Sequence, residues 1–347
     1  MEGGGGSKHK LEEAVAAFVS GGGSAEHPDE GAHSLQELIS RLDQAQGPDW
    51  AQYKQAKAAE WKGRGNEELA ANNAVAAVRW FTVCAALDPA NYVYYSNRSA
   101  AYANLGLYEE ALRDAEQVIA LNPSWPRGYS RKGLACFFLK KYDHALQAYT
   151  KGLELDPENE AMKASLQQLQ TKVQAQDANE KGEEAVAKNK LEHALQWFDK
   201  AISLDPTESV FTANRADAYL RVGDGVKALN DADQTIRLRP DWPKGYIRRA
   251  ESLHYLQRFD EAASTCAMAL QLDPSNPKIQ KQMNSSIQEG LLAKQRQAAM
   301  QQQEQKEKGE SSEQKRKKDT TKTKSDEDDG QSKTDHKKKK KQKEESK

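Results

Sequence analysis

Small and apolar residues recur along most of the chain with a period of 34. Pro89, Pro123 and Pro157 are 34 residues apart, and so are Pro206, Pro240 and Pro274. They close the phrases ALDP, ALNP, ELDP, SLDP, RLRP and QLDP. Twelve positions before each proline stands an alanine: Ala77, Ala111, Ala145, Ala194, Ala228 and Ala262. Eight positions before it are Phe81, Ala115, Tyr149, Phe198, Ala232 and Cys266. Five before it are Cys84, Val118, Gly152, Ala201, Thr235 and Ala269. Turn-forming stretches interrupt each period: AANNA, LGLYEE, LKKYDH, AKNKLEH, VGDGVK and LQRFDE. The pattern predicts two antiparallel helices per period. Small residues let the two helices approach, and larger ones fill the space between neighbouring pairs. Proline ends the second helix because it has no N–H to donate. The Asp or Asn before it, in five of the six copies, favours the turn.

With Trp61, Gly65, Ala77, Phe81 and Pro89 in its first copy, this period resembles the tetratricopeptide repeat (TPR), a helix–turn–helix unit of 34 residues. The expected fold is all-α: an α-solenoid of six TPR repeats in two blocks of three, each with a capping helix, plus a disordered basic tail. The first block holds repeats 58–91, 92–125 and 126–159, and the second holds 175–208, 209–242 and 243–276. Between them, residues 159–174 read as an amphipathic helix with Met162, Leu166, Leu169 and Val173 on one face. Such a helix covers the last apolar face of a three-repeat stack. Nothing breaks the pattern before NEKGEEA, so this cap runs directly into the next block as a stiff connection. A second cap follows Pro274. The domains expected are an N-terminal segment (1–47), a first block with its cap (48–174), a second block with its cap (175–297) and a Lys/Glu-rich tail (298–347) with residual helix through AAMQQQEQKEK.

The N-terminal segment carries two short amphipathic helices, at 11–19 and 34–46, with Ser34 and Glu37 in a capping-box pattern. They read as a lid on the first repeat, an unstable segment or a dimerisation or docking module. The GGGG and GGG runs lack a following phosphate-binding helix and read as linker.

Composition supports ordered domains with a solvated tail. The 347 residues are 37% hydrophobic and 30% charged, with a mean hydropathy of −0.91. The formal net charge of −1 conceals an asymmetry. Residues 291–347 hold 18 Lys and Arg against 12 Asp and Glu, whereas the remainder holds 33 against 40. No apolar run is long enough for a membrane span, and the N-terminus lacks the apolar core of a secretory signal. Cys84, Cys136 and Cys266 are too few and too dispersed for a disulfide framework or a metal site, so a reducing cytosol or nucleus is expected. They sit at packing positions and read as buried and inert. His144 and His193 read as turn-proximal surface or packing residues. GxxxxGK[ST], HExxH, GxSxG and paired CxxC motifs are all missing, so no enzyme and no cofactor is expected.

The informative residues are polar ones on the first helix of each repeat. Lys62 and Asn66, Asn97, and Arg127 and Arg131 occupy repeat positions 5, 9, 6, 2 and 6. Positions 2, 5, 6 and 9 form one helical face. Stacking would bring these five into one groove of three cations and two amides, with no acid among them. Such a groove suits a ligand with two or more negative charges, such as a peptide carboxylate pair. The competing reading is a solvated basic face, but two asparagines at helix-interior positions weigh against it.

The phrases KGRGNEEL, YYSNRSAAYANLGLYEEALRDAEQVIALNP and WPRGYSRKG resemble the carboxylate-clamp TPR domains of heat-shock-protein co-chaperones, nearest the stress-inducible chaperone-organising adaptor family. The resemblance implies binding of the C-terminal Glu-Glu-Val-Asp tail of heat-shock protein 70 or heat-shock protein 90. It implies that Lys62, Asn66 and Asn97 hold the terminal carboxylate, and Arg127 and Arg131 the preceding acidic groups and backbone. Arg127 departs from the family's usual lysine, keeping charge but changing donor geometry. In the second block Asn214, Lys244 and Arg248 match, but Asn179 replaces the lysine and Glu183 the first asparagine. Glu183 would repel a carboxylate, so this degenerate clamp should take another partner or only extend the scaffold.

The tail carries KRKK at 315–318, SDEDD at 325–329 and KKKKK at 337–341. It reads as a solubilising segment, a nuclear-localisation patch or an unspecific contact with RNA, ribosomes or anionic lipid. Ser325 precedes four acids, as in an acidophilic kinase site. The reading that results is a cytoplasmic co-chaperone adaptor, with a further nuclear location as an open alternative, and not an enzyme. Its rival is a TPR scaffold of a non-chaperone, RNA- or ribosome-associated complex located by its basic tail.

Overall fold

A computed structural model describes residues 3–21, 24–44 and 48–309. The tail motifs, Ser325 included, lie outside the described residues. Among those described, all regular structure is helical: α1 (Gly3–Ser20), α2 (Ala32–Asp43), α3 (Pro48–Ala70), α4 (Ala74–Leu87), α5 (Tyr92–Asn104), α6 (Tyr108–Leu121), α7 (Pro126–Phe138), α8 (Tyr142–Leu155), α9 (Glu160–Ala187), α10 (Leu191–Leu204), α11 (Ser209–Val222), α12 (Gly225–Leu238), α13 (Pro243–Tyr255), α14 (Phe259–Leu272) and α15 (277–309). None is long and apolar enough to cross a membrane. The chain divides into two compact units, Met1–Ala178 with Ser203–Asp205, and Asn179–Ile202 with Pro206–Lys347.

Each unit is a short α-solenoid of TPR hairpins. In the first, α3 packs on α4, α5 on α6 and α7 on α8, and α4·α5 and α6·α7 join successive repeats. In the second, α11·α12 and α13·α14 pair, and α12 packs on α13. The six alanines of the repeat are all 1% exposed or less, so they mark where the paired helices touch. Phe81, Tyr149 and Phe198, at the next position along, are 2% exposed or less. Phe81 lies so close to α3 that a Cβ on Gly65 would sit 2.7 Å from its ring, so glycine is required there. The turn within each hairpin has a left-handed residue at the same repeat position. Asn72, Lys140, Asn189 and Gln257 have φ of 62°, 58°, 56° and 61°, and Gly106 and Gly223 have 76° and 86°. This is how a helix C-terminus is closed before the chain reverses.

A second ladder ties the hairpins together. Arg98 grips Asp114 through Nε and Nη2 at 2.8 and 2.7 Å and donates to Thr82 Oγ1 at 3.1 Å. Arg215 repeats this with Asp231 and Asp199, and Arg249 with Asp233 and Thr265.

The N-terminal segment forms a lid on the first repeat. Leu11, Val15 and Phe18 of α1 and Leu35, Ile39 and Leu42 of α2 join one core with Trp61, Trp80 and Val83. Arg79, 4% exposed, donates to the carbonyls of Phe18, Pro28 and Glu30 at 2.7, 3.2 and 3.4 Å. Two sequence expectations are corrected here. Gly3–Gly6 is not linker but the first turn of α1, since a helix nucleated by a packed apolar face extends cheaply. The Ser34–Glu37 capping box does not form, because α2 already starts at Ala32 behind Gly31, whose φ is 88°. α15 continues unbroken to 309 on Ala, Gln, Lys and Glu, all good helix formers, which includes the stretch AAMQQQEQKEK where residual helix is expected. The cap expected at 159–174 runs on without a break as the first half of α9, in line with the uninterrupted pattern before NEKGEEA.

Candidate functional site

In the first unit the candidate residues stand on the first helices of successive repeats. Lys62 and Asn66 lie on α3, Asn97 on α5, and Arg127 and Arg131 on α7. α3 touches α5 and α5 touches α7, so these helices form one continuous wall. Asn97 Nδ2 donates to Asn66 Oδ1 at 3.2 Å, which fixes the two amides across adjacent repeats. Arg127 is exposed and lies over the Trp125 ring, 5.8 Å from its centroid. Arg131, one turn along, is half-buried, and its Nε finds no hydrogen-bond partner. Burial, then the neighbouring charge of Arg127, pushes the Arg131 guanidinium below its ordinary pKa. Lys62 is half-buried, and its charge is felt by the Cys84 thiol on α4. Among the described residues, none of these three cations is paired with a carboxylate. A groove with unneutralised, partly desolvated cations is destabilised by its own field, and an anionic ligand relieves that strain.

The equivalent residues of the second unit are also brought together, but they satisfy one another. Asn179 Nδ2 donates to Glu183 Oε1 at 3.0 Å. Asn214 Nδ2 donates to Asn179 Oδ1 at 3.0 Å and to Glu183 Oε1 at 2.6 Å. Lys244 Nζ donates to Asn214 Oδ1 at 3.2 Å. Burial, then Arg248, lowers the Lys244 pKa, while Glu183, Asp217 and Glu251 oppose the shift. Arg248 Nη1 is 2.8 Å from Asp217 Oδ1 and 2.6 Å from Glu251 Oε2.

Asp217 and Glu251 were not among the residues singled out from the sequence. The signal was there. Glu183, Asp217 and Glu251 occupy the ninth position of the fourth, fifth and sixth repeats, where the first three repeats have Asn66, Ala100 and Leu134. The second block therefore carries a column of acids beside its cations, and the first carries none.

The remaining reactive groups are withdrawn from solvent or dispersed. Cys84, Cys136 and Cys266 are buried, and burial pushes Cys84 up to about 12 and Cys266 up to about 11. His144 and His193 are exposed. Among the described residues no group of His, Cys, Asp and Glu is arranged to hold a metal ion.

Tetratricopeptide-repeat models match residues 92–125, 126–159, 179–208 and 214–277. Over 107 residues, 31% of this chain and 18% of the relative, the chain is 48% identical to the Hsp70-Hsp90 organizing protein of Triticum aestivum. Over 111 residues, 32% of each, it is 39% identical to the small glutamine-rich tetratricopeptide repeat-containing protein 2 of Mycosarcoma maydis. A solved TPR2AB domain of yeast Sti1 in complex with an Hsp90 peptide matches 67% of this chain and 98% of that one at 20% identity, with a TM-score of 0.32. The chain thus spans less than a third of the length of these two curated relatives.

Proposed function

We propose that this TPR chain is a co-chaperone adaptor whose first block binds the acidic C-terminal Glu-Glu-Val-Asp tail of heat-shock protein 70 or heat-shock protein 90. Lys62, Asn66 and Asn97 take the terminal carboxylate. Arg127 and Arg131 take the preceding acidic side chains and backbone. The observation that carries the reading is the first groove's charge: three cations and two amides on one wall with no acid, and Arg131 half-buried without a partner. The name of the Triticum aestivum relative supports the same partner class. The second block does not take this tail, and it holds another protein or extends the scaffold.

The test is fluorescence anisotropy with a labelled peptide ending in Glu-Glu-Val-Asp. Charge-assisted hydrogen bonds contribute roughly 1.5–3 kcal/mol each. Lys62→Ala and Asn97→Ala should each weaken binding about ten-fold or more, whereas Asn214→Ala should leave it unchanged. Equal binding by all three variants, or none by the parent chain, refutes the proposal.

A further inference from the structure

We infer that Asp217 and Glu251 are specificity determinants that close the second groove to ligands ending in a free carboxylate, by occupying Arg248 from within. The inference rests on the first block being a carboxylate clamp, and it explains why its near-copy is not one. The two blocks present an arginine at the same repeat position, Arg131 and Arg248, and in both the Nε is buried without a partner. They differ in what meets the rest of the guanidinium. Arg131 has no acid against it, because repeat position nine beside it is Ala100 and Leu134. Arg248 shares one Nη1 between Asp217 at 2.8 Å and Glu251 at 2.6 Å. These three side chains are only 19–25% exposed, so bulk water screens the arrangement weakly. A ligand carboxylate approaching Arg248 meets two fixed negative charges at hydrogen-bond range of the donor it needs. It must displace them or stand beside them, and either is unfavourable.

The consequence separates two levels of repair. Replacing Asn179 and Glu183 by the first block's Lys and Asn gives a clamp of Lys, Asn, Asn, Lys and Arg, with Lys244 in place of Arg127, but leaves Arg248 engaged. Only the further removal of the two acids frees it. Asp217→Ala and Glu251→Leu are the natural substitutions, since those residues already fold at the equivalent places in the first block.

The test uses the full chain and the peptide ending in Glu-Glu-Val-Asp as a free acid, with the C-terminally amidated peptide as control. All second-block variants are made with Arg131→Ala, so that binding reports the second groove. N179K/E183N should show no more binding than its parent. N179K/E183N/D217A/E251L should bind at least ten-fold more tightly and lose that gain on amidation. Equal affinity of the two variants overturns the inference. The reverse arm leaves the first block's five residues intact and installs A100D/L134E. Binding should fall ten-fold or more with secondary structure retained by circular dichroism; unchanged affinity overturns the inference. If A100D/L134E does not fold, the second-block arm decides alone. Failure of the unsubstituted chain to bind the free acid condemns the clamp reading itself, and so is told apart from failure of the lock.

Discussion

Two arginines on adjacent repeats of the first unit, Arg98 and Arg131, should respond oppositely to truncation. Arg98 holds Asp114, which is 6% exposed, by two bonds of 2.8 and 2.7 Å. Burial pushes the Asp114 carboxyl upward, and Arg98 is what opposes that shift. Arg98→Ala strands this carboxylate, and breaking a buried pair in this way costs roughly 3–5 kcal/mol. Arg131 has the reverse ledger. It meets no acid, its Nε is unpartnered, and Arg127 repels it. Arg131→Ala should therefore change stability by less than about 0.5 kcal/mol, as for a substitution outside the packed core. Its cost falls on the ligand: loss of a charge-assisted contact of roughly 1.5–3 kcal/mol weakens peptide binding about 10- to 100-fold. The assay is a pair of measurements on each variant, a urea unfolding curve and a peptide titration. Arg98→Ala should shift the unfolding midpoint, and Arg131→Ala the titration. An Arg131→Ala chain as destabilised as Arg98→Ala would refute the reasoning, because Arg131 would then be a structural residue like its neighbour.

Lys140 adopts φ 58° in a hairpin turn where Gly106 and Gly223 serve in other repeats. Lys140→Gly should raise stability by about 0.5–1 kcal/mol in thermal unfolding, the relieved left-handed strain exceeding the added unfolded-state freedom. Gly65→Ala should do the opposite. Its Cβ would meet the Phe81 ring at 2.7 Å, and overpacking of about 1–3 kcal/mol outweighs the roughly 1 kcal/mol helix-propensity gain. Because Lys62 and Asn66 share α3, peptide affinity should fall with it. Arg79→Ala removes the donor to three backbone carbonyls. Limited proteolysis should then cleave within residues 24–31 several-fold faster, while the hairpins downstream stay protected.

The repeat architecture was legible because it is carried by spacing. A 34-residue period of small residues and prolines determines which helices pair, and all six alanines landed at contacts. The placement of the five first-block residues on the first helices of their repeats was legible for the same reason, as one helical face repeated. The acids at 217 and 251 escaped because they stand at the ninth position of the fifth and sixth repeats, where the five clamp residues have no counterpart. Charge compensation is a property of pairs, and a residue-by-residue match does not register it. Helix ends were the other loss. Ser34 and Glu37 offer a good capping pair, but Gly31 takes a left-handed conformation and starts α2 earlier. Gly3–Gly6 carries no sequence signal for helix, and it extends α1 only because Leu11, Val15 and Phe18 are already anchored in the lid.

The central claim is that one groove of this chain reads a free acidic C-terminus. Isothermal titration of the full chain with a peptide ending in Glu-Glu-Val-Asp, as the free acid and as the C-terminal amide, addresses it most directly. The account predicts binding of one peptide per chain for the free acid and at least ten-fold weaker binding for the amide. Two equivalent sites would contradict the asymmetry of the grooves, and equal binding of acid and amide would contradict the clamp.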